Sequence, residues 1–467
     1  MREALKKLTA ESLVYGLGQV SGRAVQLLMV PILTRVLTRD VYGVGDLVLA
    51  YAQFAVVFLV FGMDGALVRF FYQEESREAR RRMVATSLLF RLAISIVAAL
   101  LLAGLAHVLA PAVMGSPAYR KYLMIGALSL PFTLLTLFCN DVLRVTFQPQ
   151  KFIALNFVQT AVTAAVSLWL VLGRHLGIAG VLYGKLAGDA AGALLGLVLI
   201  RHSIAPAFDG AVLRRMLVFG APLVPAALAY GVVGAADRFF LQRTHGLEAV
   251  GTYAVAVKFF AVAMMGVSAF SLAFFPFAHA RAASPDAPGL FARIFSLYGA
   301  AASLLALAIG AFAPEIVALA VPPEYHAAAQ PALMLTFAAV AYGAYYVACL
   351  GIQLALETHW LGWTAAAAAL VAIAANAILV PRGGVLAAAE ATLLGNVTLA
   401  VSTYAVAQRV HRLPFRGGKI ALLFVVALGL AIAAQHAPAT PAGWAMKLGA
   451  VFAMIALALA MGVGRER

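Results

Sequence analysis

Residues 11–46 read ESLVYGLGQVSGRAVQLLMVPILTRVLTRDVYGVGD. The apolar run predicts a membrane-spanning helix over about 12–33, then a short polar connection and the start of a second helix. Ser12, Tyr15, Gln19, Arg23 and Gln26 follow one another at steps of three or four, so they form a single polar stripe on an otherwise apolar cylinder. Arg23 sits near the middle of that stripe. A guanidinium at bilayer depth costs about 2.5–3.5 kcal/mol on insertion scales, so it is expected to face protein or water rather than lipid. Two roles follow: a cationic site inside the membrane, or a structural pair with a carboxylate such as Asp46 that fastens two helices together.

The rest of the chain has the same character. Of its 467 residues 64% are hydrophobic and 11% charged, with a mean hydropathy of +0.95. A soluble domain carries about 25% charged residues, so this chain cannot cover itself with a water-facing shell and is expected to be a polytopic, all-α membrane protein. The N-terminal MREALKKLTAES leads into a full-length span without a small-residue cleavage site, so the first helix is expected to be its own insertion signal. The net charge of +15 does not indicate nucleic-acid binding, because the basic residues recur at helix ends instead of gathering on one face or tail. Cys139 and Cys349 lie in apolar segments, and no CxxC or histidine cluster is present. Neither a disulfide framework, a metal site nor a cofactor is expected.

Fourteen windows are long and apolar enough to cross the membrane, from 12–33 and 44–64 at the start to 419–434 and 443–463 at the end. An even number puts both termini on one side. With the termini inside, inward segments hold 21 of the 34 Lys and Arg and outward segments hold 9, which predicts a cytoplasmic N-terminus. The densest charge run, RFFYQEESREARRRM at 69–83, reads as a solvated connector. FDGAVLRRM at 208–216 reads as an amphipathic approach to the seventh span.

The two halves of the chain are related. Leu33, Arg35, Asp40 and Gly43 correspond to Leu241, Arg243, Glu248 and Gly251 at a spacing of 208; GIAGVLYGKLAGD from Gly177 corresponds to GVLAAAEATLLGN from Gly384 at a spacing of 207. Two matches at nearly one spacing indicate a repeat. Six spans separate the copies, so they share one orientation about an axis along the membrane normal. The expected organisation is a six-helix lobe at 1–205, a second at 206–410, and two further helices at 411–467.

PILTRVLTRDVYGVG from Pro31, GMDGALVRFF from Gly62 and GAPLVPAALAYGVVGAADRFFLQ from Gly220 resemble the corresponding segments of bacterial oligosaccharide flippases of the polysaccharide-synthesis, Wzx-like type. That resemblance implies the MOP superfamily, which also holds the lipid II flippase and MATE multidrug exporters: two parallel six-helix lobes around a central cavity, working by alternating access. It also implies a transporter and not an enzyme. The substrate would be a polyprenyl-diphosphate-linked oligosaccharide carried from the cytoplasmic to the outer leaflet of the bacterial inner membrane, for cell-surface polysaccharide synthesis. Membrane lipids, and a glycan polymerase or glycosyltransferases of the same pathway, are the implied partners.

A lipid-linked diphosphate is a hydrated anion that must cross ~30 Å of hydrocarbon. Cationic groups in a wet cavity would replace its water and counterions. Arg23 on helix one and Lys258 on helix eight are the candidates, because the resemblance implies that helices one, two, seven and eight line the cavity. Tyr15, Gln19 and Gln26 share the Arg23 stripe, and Asp46 and Gln53 share a face of helix two. Lys185 and Asp189, four apart on helix six, have the spacing of an ion pair, structural or coupling. Glu390 is the carboxylate of helix twelve, and Pro222, Pro225, Gly231 and Gly234 suggest a seventh helix able to bend. Two alternatives are a MATE-like multidrug or ion antiporter, which would want deep acidic residues, and a membrane glycosyltransferase or polymerase, which would want catalytic acids or bases on a sizeable outer loop.

Overall fold

A computed structural model describes residues 25–463 except residue 283. The described residues are α-helical with short turns and no strand. Eleven helices are long and apolar enough to cross a membrane, and a shorter apolar one, α1 (Val25–Val36), carries the described part of the first predicted span. This is a multi-pass membrane protein. The long helix α4 (Arg77–Met114) shows why: only 17% of its most apolar stretch is buried inside the molecule, so the remainder needs an apolar solvent. Leu100, Leu194 and Leu370 stand more than 60% exposed for the same reason.

The chain forms two compact units, residues 1–235 with 246–251, and residues 236–245 with 252–467. In the first, α2 (Arg39–Val60) packs on α5 (Arg120–Val145), α5 also packs on α4 and on α7 (Ile178–Ile200), and α6 (Pro149–Leu168) pairs with α7. The helix expected over 44–64 is broken: Phe61 and Gly62 adopt left-handed backbone (φ 52° and 68°), and the chain restarts as the short α3 (Met63–Gln73). α3 lies on α8 (Gly210–Gly220), whose first turn is capped by Asp209. A Cβ on Gly62 would meet the Gly220 carbonyl oxygen at 2.6 Å, so the two helices approach closely only because both positions lack a side chain. Met63, Leu67, Phe70, Met83, Phe138 and Met216 form the core beneath. The charge run at 69–83 is therefore mostly helical, with residues 74–76 alone between α3 and α4; Ser76 caps α4 by accepting from Ala79 N–H.

Segment 246–251 belongs to the first unit because Gly43 and Gly251, the repeat-related glycines, sit on each other's backbone. A Cβ on Gly43 would meet Gly251 N at 2.8 Å, and one on Gly251 would strike the Arg39 carbonyl. Arg39 donates to Glu248 at 2.6 Å beside them.

In the second unit, α12 (Ala329–Leu354) packs on α13 (His359–Val410) and α10 (Ala287–Ala311) packs on α12 and α14 (Gly417–Gln435). Pro441 begins α15 (Pro441–Ala460), which lies on α14. The helix α9 (Val224–Arg281) is interrupted at Gly246 (φ 78°) and α13 at Gly384 (φ 57°), so each consists of two arms. The break in α9 falls at Gly246, not in the Pro222–Gly234 stretch where the sequence suggests a bend. Gly177, at the start of α7, has φ 56° and ψ −137°; its repeat partner Gly384 has φ 57° and ψ −132°. The same backbone turn at the same place in each half is independent evidence for the duplication.

Candidate substrate site

The candidate residues divide by whether their charge is already used. Tyr15, Gln19 and Arg23 lie outside the described residues. Gln26 on α1 and Gln53 on α2 are exposed, and Asp46, two turns before Gln53, is half-buried.

Lys185 and Asp189 form the ion pair that their spacing predicts, Nζ to Oδ2 at 2.6 Å. The pair is part of a larger network. Thr133 on α5 donates to Asp189 Oδ2 at 2.5 Å, Gln159 on α6 donates to Oδ1 at 2.8 Å, and Thr136 donates to the Asp189 carbonyl. A buried carboxylate with one ammonium and two neutral donors is fully satisfied, which ties α5, α6 and α7 together. The signal for this network was present as Ser129, Thr133 and Thr136, one polar edge on an apolar helix.

Other charges in apolar surroundings are also matched. Arg91 is 1% exposed and donates to Asp141 at 2.9 Å, while Asp141 also accepts from the half-exposed Arg144 at 2.5 Å. In the second unit, Asp237 accepts from Tyr253 Oη at 2.5 Å and from its neighbour Arg238, through backbone N–H at 2.7 Å and Nη1 at 3.1 Å. Thr392 Oγ1 lies 3.2 Å from the same tyrosine hydroxyl. Thr392 is the repeat counterpart of Lys185. Lys447 is fully buried and donates to Glu315 at 2.5 Å.

Lys258 stands apart from these. It lies on α9 twelve residues beyond Gly246, about 18 Å along the helix. It is half-buried and makes no hydrogen bond or ion pair with a described residue. Glu390, six residues beyond Gly384 on the second arm of α13, is likewise half-buried and without such a partner. Among the described residues no group of three or more His, Cys, Asp and Glu could hold a metal ion.

A family model described as polysaccharide biosynthesis protein matches residues 8–279, more than half of the chain. No curated protein matches it. Among solved structures, the lipid II flippase MurJ in an inward closed conformation matches with a TM-score of 0.76 at 11% identity, over 96% of this chain and 98% of that one. A multidrug resistance MATE family transporter of the MOP superfamily matches in its outward-facing conformation with a TM-score of 0.65 at 13% identity, over 86% of this chain and 95% of that one. The inward-facing form gives 0.60 at 14% identity, over 87% and 93%. The fold is that of the MOP superfamily.

Proposed function

The chain belongs to the polysaccharide biosynthesis protein family, and from that premise we propose that it is a flippase that carries a polyprenyl-diphosphate-linked oligosaccharide from the cytoplasmic to the outer leaflet of a bacterial inner membrane by alternating access. The observation that carries this reading is Lys258: a cation well inside a membrane-spanning helix that forms no ion pair among the described residues, in a protein that pairs Arg91, Lys185, Arg238 and Lys447 with acids. An unmatched intramembrane ammonium is costly and is retained where an anionic ligand supplies the counter-charge. A diphosphate is such a ligand, and its hydrocarbon tail can remain in lipid while the head passes through water.

In this reading Lys258 and Arg23 hold the diphosphate, and Tyr15, Gln19, Gln26 and Gln53 meet sugar hydroxyls and waters. Asp46 is a counter-ion that the substrate displaces. The lobes are 1–205 and 206–410, with 411–467 as two additional helices. Net transport requires that the two access states differ in affinity, or that a charge moves with the membrane potential, worth about 2.3 kcal/mol per charge per 100 mV. Lys185 and Asp189, already satisfied by their own network, serve structure rather than coupling. Glu390 is the acid that a MATE-like cation exporter could use, which makes it the discriminating position.

Proteoliposomes loaded with radiolabelled lipid-linked oligosaccharide provide the test. Transfer between leaflets without chain growth, lost in Arg23→Ala and Lys258→Ala, is the expected result. Chain growth would indicate a polymerase. Full transfer in both variants would remove the two cations from the site. Absence of transfer, together with drug efflux abolished by Glu390→Gln, would indicate the exporter.

A further inference from the structure

The helix α4 is 38 residues long, about 57 Å, roughly twice the ~30 Å of hydrocarbon it crosses. Arg77, Arg80, Arg81 and Arg82 occupy its first turns, at the end of the protein that the Lys and Arg bias assigns to the cytoplasm. The chain between α7 and α8 is laid across these turns and held there by three hydrogen bonds. Arg81 Nη2 donates to the Ile204 carbonyl at 2.8 Å, Ala205 N–H to the Arg81 carbonyl at 3.3 Å, and Asp209 N–H to Thr86 Oγ1 at 3.0 Å. Beneath this strap is a groove of about 290 Å³, with Ala85, Leu88 and Leu89 on the helix side and Ile204, Pro206 and Phe208 on the other. Leu89 and Phe208 are 46% and 57% exposed, so the groove is open to its surroundings.

Arg82 precedes Ala85 and Leu89 by three and seven residues, which puts it on the same face of α4 at the polar end of the apolar groove. Other arginines of α3, α4 and α8 are already engaged: Arg80, Arg215 and Arg69 are stacked over Phe71, Phe70 and Phe219 at 5.2, 4.5 and 4.8 Å, and Arg215 is also engaged by Glu74 at 2.6 Å. Arg77, Arg82 and Arg214 are exposed and make no hydrogen bond or ion pair with a described residue. The site therefore joins uncommitted positive charge to an open apolar slot at one end of a helix long enough to cross the membrane.

We propose that this groove seats an acidic phospholipid of the leaflet it faces, with the phosphate at Arg82, the field of Arg77 and Arg214 behind it, and an acyl chain against Leu88, Leu89 and Phe208. At the ~30 Å³ that a water-sized group occupies in a liquid, the groove has room for about ten carbon-sized groups, part of one unbranched chain. A juxtamembrane arginine contributes about a fivefold preference for an anionic surface, so the charges favour an acidic over a zwitterionic lipid. Occupation would pin α3, α4 and α8 at one depth in the membrane.

Native mass spectrometry of the full chain released from detergent micelles, with phosphatidylglycerol and phosphatidylcholine added in equal amounts, tests this. Phosphatidylglycerol is expected to be retained preferentially. Arg82→Gln should weaken its retention about fivefold, and Arg82→Gln with Arg214→Gln about 25-fold, at low salt. Leu89→Trp, which fills the slot without changing charge, should also weaken it, whereas Arg409→Gln, on the last turn of α13, should not. Equal retention of the two lipids, or a loss in Arg409→Gln as large as in Arg82→Gln, would overturn the assignment. So would unchanged retention in Leu89→Trp, or displacement of phosphatidylglycerol by equimolar undecaprenyl phosphate, which would give the groove to the transported lipid.

Discussion

Asp141→Asn is the most informative single change in the first unit. Asp141 is the only acid that the described residues offer to Arg91, whose side chain is 1% exposed and whose Nε and Nη2 are buried with no hydrogen-bond partner. Without the carboxylate, the guanidinium keeps the ring of Phe138 at 5.3 Å and a neutral amide oxygen in place of its counter-charge. Removing one member of a buried pair leaves an uncompensated charge and costs about 3–5 kcal/mol, two to four decades in the folding equilibrium. For a unit of this size that is a fall of roughly 6–20 °C in Tm. Arg144→Gln removes the second donor to the same acid, yet Arg144 is 52% exposed, and its loss should cost about 0–1 kcal/mol. Replacing the pair together, Arg91→Met with Asp141→Leu, should restore much of what Asp141→Asn loses, because no charge is then stranded. Thermal unfolding of the purified variants in one detergent, followed by tryptophan fluorescence, reads all three. If Arg144→Gln costs as much as Asp141→Asn, or the apolar double variant is less stable than Asp141→Asn, then the stranded charge is not what the carboxylate prevents.

Four further outcomes are expected. Lys258→Gln should slow oligosaccharide translocation about 10- to 150-fold, the equivalent of one charged hydrogen bond of about 1.5–3 kcal/mol, with Lys258→Arg retaining more activity; initial rates in proteoliposomes measure this. Gly43→Val and Gly251→Val should each destabilise by at least the ~1–3 kcal/mol of an overpacked contact, because the new Cβ meets backbone that has no rotamer to change; yield of folded, monodisperse protein is the readout. Gly177→Ala and Gly384→Ala should cost similar amounts, about 1–3 kcal/mol each, since both hold the same left-handed backbone. By contrast Gly104→Ala, exposed within α4 with nothing near its added methyl, should stabilise by about 0.5–1 kcal/mol in the same melting assay.

Much of this protein is legible in the chain itself because lipid leaves so few options. A segment that enters hydrocarbon must satisfy every backbone polar group internally, so the length and apolarity of 84–110 or 152–173 were enough to predict helices, and their described counterparts are helical. The duplication was equally visible, since Gly43 with Gly251 and Gly177 with Gly384 are positions where only glycine serves, and such positions keep their identity when the surrounding sequence drifts. The Lys185–Asp189 pair was legible for the same local reason, one turn of helix. Partners distant in sequence were not. Nothing in the order of residues tells Arg91 that it will meet Asp141, Lys447 that it will meet Glu315, or Asp237 that Tyr253 and Thr392 will close around it. Helix periodicity gives the face on which a side chain lies but not the helix that face will meet, and a buried charge takes its meaning from what it meets. The sequence alone thus determined that this is a duplicated bundle of membrane helices carrying intramembrane charge. Only the tertiary structure decided which of those charges are already neutralised at home and which, like Lys258, meet no ion-pair partner among the described residues, because pairing is a matter of a few ångströms between helices that the chain order does not bring together.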